Sequence, residues 1–210
     1  MTVTFQLPRR AVAAVGALAF IGSLGACGSG QDRGAVVAGT TSTSASPVKT
    51  TTAALEAAMI TSVPSGYDQE PDAVAGTGPT DEAKAISQED VRGGKDVLAR
   101  AGYVNGYQRL WTKGENGLLA ISVYVFETEA GAADYNAHNQ GLFDDEPGPS
   151  LFGVAGLPGG KGLHEKSTDG DVIFIAFERG RYAVTLTLAE PGTEIPTATS
   201  LAVQQYANLV

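Results

Sequence analysis

Alternation with a period of two dominates the second half of the chain. In Leu118–Phe126, Leu119, Ile121, Val123 and Val125 share one face, while Ala120, Tyr124 and Phe126 share the other. Both faces are largely apolar, which predicts a central strand covered on both sides. Tyr107–Lys113 precedes it across Asn116-Gly117, a dipeptide that favours tight hairpin turns, so the two runs are predicted to form a hairpin. Further on, Gly162–Thr168, Asp171–Glu178 and Arg181–Ala189 read as a three-strand meander turning at Asp169-Gly170 and Arg179-Gly180. Its middle strand alternates Val172, Phe174 and Ala176 with Ile173, Ile175 and Phe177, again apolar on both faces. The last strand sets Tyr182, Val184, Leu186 and Leu188 against Ala183, Thr185 and Thr187, apolar on one side and mostly polar on the other.

Helical spacing interrupts the strands. Residues 129–142 read as a helix with Thr128 as N-cap and Ala132, Tyr135 and Leu142 facing inward. Near the end of the chain, Pro196 suits the first helical turn, and Ala198, Ala202, Tyr206 and Leu209 form one stripe. In the first half, Leu55, Ala58 and Met59 predict a short helix over Ala53–Ile60, stopped by Val63-Pro64-Ser65-Gly66-Tyr67. Asp68–Asp81 has no periodicity and reads as a connector. Ser87 and Asp90 have the spacing of a capping box for a helix that carries Val91, Lys95 and Leu98 and ends at Gly102. The Gly93-Gly94 pair inside it costs about 1 kcal/mol per glycine relative to alanine. Strands in hairpins and helices one at a time predict an α+β fold: an antiparallel sheet built from a hairpin and a three-strand meander, with helices packed on it.

The N-terminus has a different logic. Arg9-Arg10 precedes an apolar run, Ala11–Ile21, that is too short to span a bilayer as a stable helix. Small residues then lead to Leu24-Gly25-Ala26-Cys27, the pattern of a lipobox, with the only cysteine of the 210 residues at its end. Residues 1–26 are therefore expected to be a lipoprotein signal peptide, and Cys27 the site of cleavage and of diacylglycerol attachment. Two or three acyl chains, at roughly 0.8 kcal/mol per buried methylene, hold a protein at a membrane where one chain does not. Residues 27–52 then form the lipidated cysteine and a Ser/Thr/Gly tether, spanning roughly 25–30 Å as a random coil. Residues 53–210 form a single α+β domain on the outer face of the cytoplasmic membrane.

Charge narrows the partners. Removing residues 1–26 takes two of the 14 basic and none of the 23 acidic side chains, leaving a net charge near −11. Nucleic acid and anionic headgroups are poor partners for that surface. The expected partners are the cytoplasmic membrane, through the diacylglycerol anchor, and an envelope protein or an apolar ligand.

Pro64-Ser-Gly-Tyr67, Gly106-Tyr107-Gln-Arg109-Leu-Trp111, Val123-Tyr-Val-Phe126, the Gly180-Arg-Tyr182 turn and Gln204-Gln205-Tyr206 together resemble the secreted lipoproteins of high-GC Gram-positive (actinobacterial) bacteria, many of them uncharacterised envelope proteins. The resemblance extends over most of residues 53–210 and implies a location and a type of fold. Its motifs are structural, and it implies no active site.

Chemical motifs are sparse. His138 and His164 have no Cys or His companion at ligand spacing and are expected at the surface. Asp144-Asp145-Glu146 lacks the ligand spacing of a calcium loop and reads as a solvated acidic loop. Gly156-Leu-Pro-Gly159-Gly160-Lys161 does not have phosphate-loop spacing and is expected to turn one strand into the next. Neither a Gly-x-Ser-x-Gly elbow nor an acid/base pair stands out, so no catalytic, metal or cofactor residue is assigned, and the chain is expected not to be an enzyme. Tyr107, Trp111, Tyr124, Phe126 and Tyr135 concentrate aromatics in the first hairpin and its helix, where core is the expected place for them. Leu151-Phe152 is either a lid over a cavity or a plug in one. The function expected is a non-catalytic protein-binding or assembly module of the envelope, with a carrier or sensor of an apolar, lipid-like ligand as the alternative.

Overall fold

The computed structural model describes residues 50–209 apart from 73, 75, 90–92, 145–149 and 168–169. The signal peptide, Cys27 and most of the tether lie outside the described residues, as do the Asp145-Glu146 pair and Asp169.

The hairpin and the meander read from the sequence form one antiparallel sheet, as expected. Strand β3 (Tyr103–Lys113) and β4 (Gly117–Phe126) form the hairpin, and β6 (Lys161–Ser167), β7 (Gly170–Arg179) and β8 (Tyr182–Glu190) form the meander. Pairing of β4 with β8, from Leu118 opposite Ala189 to Val125 opposite Tyr182, joins them. The sheet is antiparallel throughout, with strand order β1-β3-β4-β8-β7-β6-β5 and β2 also on β3. Three of its eight strands are additions to the sequence reading. The connector Asp68–Asp81 contributes β1 (Asp68–Gln69) and β2 (Gly78–Thr80), and the segment after the helix read over 129–142 contributes β5 (Ser150–Gly153). All three are very short edge segments, too brief for a period to register.

Register sorts the side chains onto two faces. One face carries Tyr107, Arg109 and Trp111 of β3, Leu119, Ile121, Val123 and Val125 of β4, Ile173, Ile175 and Phe177 of β7, and the even-numbered Tyr182–Leu188 positions of β8. Helices α1 (Thr52–Ala58) and α5 (Ile195–Asn208) cover it, burying Leu55, Met59, Leu201 and Ala202. Each large aliphatic side chain so enclosed contributes roughly 1.5–3 kcal/mol. On the opposite face, α2 (Glu82–Glu89), α3 (Gly94–Ala101) and α4 (Glu129–Asp144) enclose Tyr124, Phe126, Leu98, Ala132 and Tyr135.

The aromatic set is core, divided between the two faces. Tyr107 and Trp111 lie beneath α1, while Phe126 and Tyr135 stack at 5.2 Å and Tyr103 meets Tyr124 edge-on at 5.3 Å. Phe152 packs against the α1/α5 core over Gly162 and fills space there, whereas its neighbour Leu151 is half exposed.

Three local expectations change. The Ser87 region does not start a helix: Ser87 lies inside α2 and donates to the Lys84 carbonyl at 2.8 Å, while the cap is Asp81, which accepts the Lys84 N–H at 2.8 Å. Gly93 does not sit within a helix but precedes α3 with φ +71°, a left-handed conformation that glycine adopts without penalty, and Gly94 is the first residue of α3. Gly102, φ +72°, ends α3 as expected. In α4, Thr128 caps by accepting the Gly131 N–H at 3.0 Å, but Phe143, not Leu142, is the residue buried at its end.

Candidate functional site

Helices α2–α4 cover only part of their sheet face. One register row of that face crosses six strands as Leu110, Ala120, Thr187, Phe174, Leu163 and Leu151, with Leu163 and Phe174 packed beneath Phe143 of α4. The adjacent row begins Gln108, Ser122, Thr185. Where α4 and α2 overhang these rows, a cleft of about 210 Å³ opens, lined by Gln88, Asn139, Phe143, Phe174, Ile175, Thr185, Leu186 and Thr187.

Each wall has a local cause. Period two in β8 sends Val184, Leu186 and Leu188 into the α1/α5 core, so Thr185 and Thr187 are placed on the cleft side. Phe174 lies opposite Thr187 and is half-buried. The polar wall is organised: Tyr124 donates its hydroxyl to Gln88 Oε1 at 2.9 Å, and Gln88 Nε2 donates to Gln108 Oε1 at 2.9 Å. That chain fixes the Gln88 amide at the lip.

The roof, α4, is unusually polar for a helix packed on a sheet. Gln140 Nε2 donates to the Gly159 carbonyl at 2.8 Å and the Ala176 carbonyl at 3.1 Å, pinning the helix to β7 and to the turn before β6. Asn136 Nδ2 donates to Glu178 at 3.1 Å, and its Oδ1 is buried without a partner among the described residues. Between them Asn139, only 7% exposed, lines the cleft. A buried amide left without partners costs about 1–3 kcal/mol, so such groups sit where water or a ligand can satisfy them. None of the eight lining residues carries a charge.

A larger groove, about 460 Å³, lies between Ser62–Pro64 and α5, lined by Pro196, Thr197, Ser200, Leu201 and Gln204. None of the buried polar residues lines it. The cleft under α4 is therefore the better candidate.

The residues singled out in the sequence take other places. His164 is 8% exposed, and the Nε2 atoms of His138 and His164 are both buried without a partner among the described residues, which corrects the expectation of surface histidines. They lie on different elements, α4 and β6, and no group of three or more His, Cys, Asp or Glu residues is placed to hold a metal among the described residues. Gly156–Lys161 does connect β5 to β6. Sequence reading did not find Gln88, Asn139 or Phe174 as a site, because they come from three elements and share no motif. The single legible signal was the polar face of β8, Thr185 and Thr187.

Among the described residues no helix is long and apolar enough to cross a membrane. Neither the protein-family models nor the curated proteins include a match to this chain. Among solved structures, the extracellular domain of PknH from Mycobacterium tuberculosis has a similar fold, with a TM-score of 0.51 over 76% of this chain and 96% of that one, at 13% identity.

Proposed function

We propose that this chain is a non-catalytic binding module of the cell envelope, held at the outer face of the cytoplasmic membrane by lipid on Cys27, with the cleft beneath α4 as its binding surface. The observation that carries the reading is the cleft itself, where the uncharged polar side chains of Gln88, Asn139, Thr185 and Thr187 come together beside Phe174 on a partly covered sheet face. The signal-peptide pattern and the fold shared with an extracellular domain support an extracytoplasmic setting. A lipid carrier has less support, because amides and hydroxyls make up much of the lining and the cleft is smaller than the roughly 300–1,000 Å³ of enclosed ligand pockets.

The test uses the chain's shortage of cysteines. A Thr187→Cys variant places a single thiol in the cleft besides Cys27, and Lys95→Cys places one on the exposed side of α3. With the cleft occupied in the envelope, Thr187→Cys resists maleimide in intact cells and reacts in the purified protein, while Lys95→Cys reacts in both. Equal labelling of Thr187→Cys in the two settings refutes the cleft as a binding surface.

A further inference from the structure

Resting on the cleft as the binding surface, we propose that its ligand is a neutral glycan, a hydroxyl-rich sugar chain held by Asn139, Gln88, Thr185 and Thr187 against the ring of Phe174. A sugar hydroxyl donates and accepts at once. Carboxamides and side-chain hydroxyls do the same, whereas carboxylates only accept and ammonium groups only donate. The polar residues of the lining are all of the first kind. Phe174, half-buried and opposite Thr187 in the register, supplies an apolar surface on which the C–H face of a sugar ring rests while its hydroxyl edge reaches the amides.

Other ligand classes fit less well. Phosphates, carboxylates and anionic glycans would enter an uncharged cleft on a chain that carries 23 acidic against 14 basic side chains. An extended peptide gains affinity by adding to a sheet edge, but Thr185 and Thr187 lie on β8, between β4 and β7, where the backbone is already committed to both neighbours. Only side chains are offered to the ligand. At about 210 Å³ the cleft also grips a segment and does not engulf a whole molecule, which suits a chain that continues beyond it.

The experiment is calorimetric titration of the full-length protein in detergent with maltotetraose, chitotetraose and mannotetraose, with the matching monosaccharides, and with an uncharged Gly/Ser/Asn tetrapeptide. A neutral tetrasaccharide is expected to bind with Kd below about 1 mM, with no loss between about 0.05 and 0.5 M salt, because no ion pair is involved. Asn139→Leu and Thr187→Val each remove hydrogen-bonding capacity at similar volume and are expected to weaken binding about tenfold with unchanged melting. Thr187 is half-exposed on a strand, so its valine variant keeps the test open should Asn139→Leu fail to fold. Affinity that rises from mono- to tetrasaccharide identifies a polymer as the source; equal affinities identify a free sugar. Absence of binding by every neutral saccharide, insensitivity to both variants, or preference for the tetrapeptide overturns the glycan assignment. Protection of Thr187→Cys in cells alongside that absence would leave the binding surface standing with a different ligand, whereas loss of protection as well would remove both.

Discussion

The side-chain oxygen of Gln205 accepts the backbone N–H of Ile60 at 3.1 Å, and its amide donates to the Ala58 carbonyl at 3.0 Å. This joins α5, near the end of the chain, to the exit of α1, the first helix. Arg109 adds a third hold: its Nη1 donates to the Ile60 carbonyl at 3.3 Å and its Nη2 lies 3.8 Å from Glu56. Gln205 is fully buried, so Gln205→Leu strands a donor and an acceptor at once. The expected loss is about 2–4 kcal/mol by urea denaturation, from about 1–3 kcal/mol per unsatisfied group. A loss below about 0.5 kcal/mol would mean that α1 is not held by this residue.

Two glycines in α4 are expected to respond oppositely to alanine. A Cβ at Gly131 would overlap the Ala101 carbonyl oxygen, where α3 and α4 approach each other, and backbone cannot give way there. Gly131→Ala should cost at least about 1–3 kcal/mol. Gly141 has open space around its Cβ position, so Gly141→Ala should raise stability by about 0.5–1 kcal/mol through helix propensity. The melting temperatures of the pair check both signs.

Burial, followed by the hydrogen bond from its hydroxyl to Asp72 at 2.7 Å, pushes the Tyr107 phenol up from 10.0 to about 12. Burial also raises Tyr67, with help from the charge of Glu190, and Tyr103, with help from that of Asp81. A phenol held protonated in the fold contributes stability that is fully present below pH 10 and is lost as pH rises through the folded value. Three of the seven tyrosines should therefore ionise late in the native protein, and melting temperature should fall between pH 10 and 12. Tyr107→Phe should make that fall shallower. Phenolate absorbance against pH, with and without denaturant, measures the delay.

Cys27→Ala is expected to abolish incorporation of labelled palmitate and to leave the protein uncleaved or released from the membrane. Normal labelling of that variant would end the anchor reading. A ten-residue deletion within 28–49 should leave the melting temperature unchanged, whereas Leu55→Ala, fully buried in α1, should cost about 2–5 kcal/mol.

Long amphipathic runs were legible because period two and period 3.6 are local properties. Leu119, Ile121, Val123 and Val125 announce β4, Ala132 and Tyr135 announce α4, and Thr128 announces its cap. The short strands β1, β2 and β5 were not legible, since two to four residues carry no period and exist as strands only because β3 and β6 offer them partners. The Ser87 capping signal misled because it competes with Asp81, which binds the Lys84 N–H and starts α2 earlier.

The amino-acid sequence by itself determined the α+β class, the approximate places of four of the five described helices, the five long strands and which residues would be apolar on each. Tertiary structure alone decided that hairpin and meander join through pairing of β4 with β8, and that α2–α4 cover only part of one face of the sheet. Pairing of strands some sixty residues apart depends on what each buries when they meet. The cleft has the same origin: Gln88, Asn139, Phe174 and Thr187 are distant in the chain, and only the packing of α2 and α4 across β7 and β8 brings their uncharged polar and aromatic groups to one place.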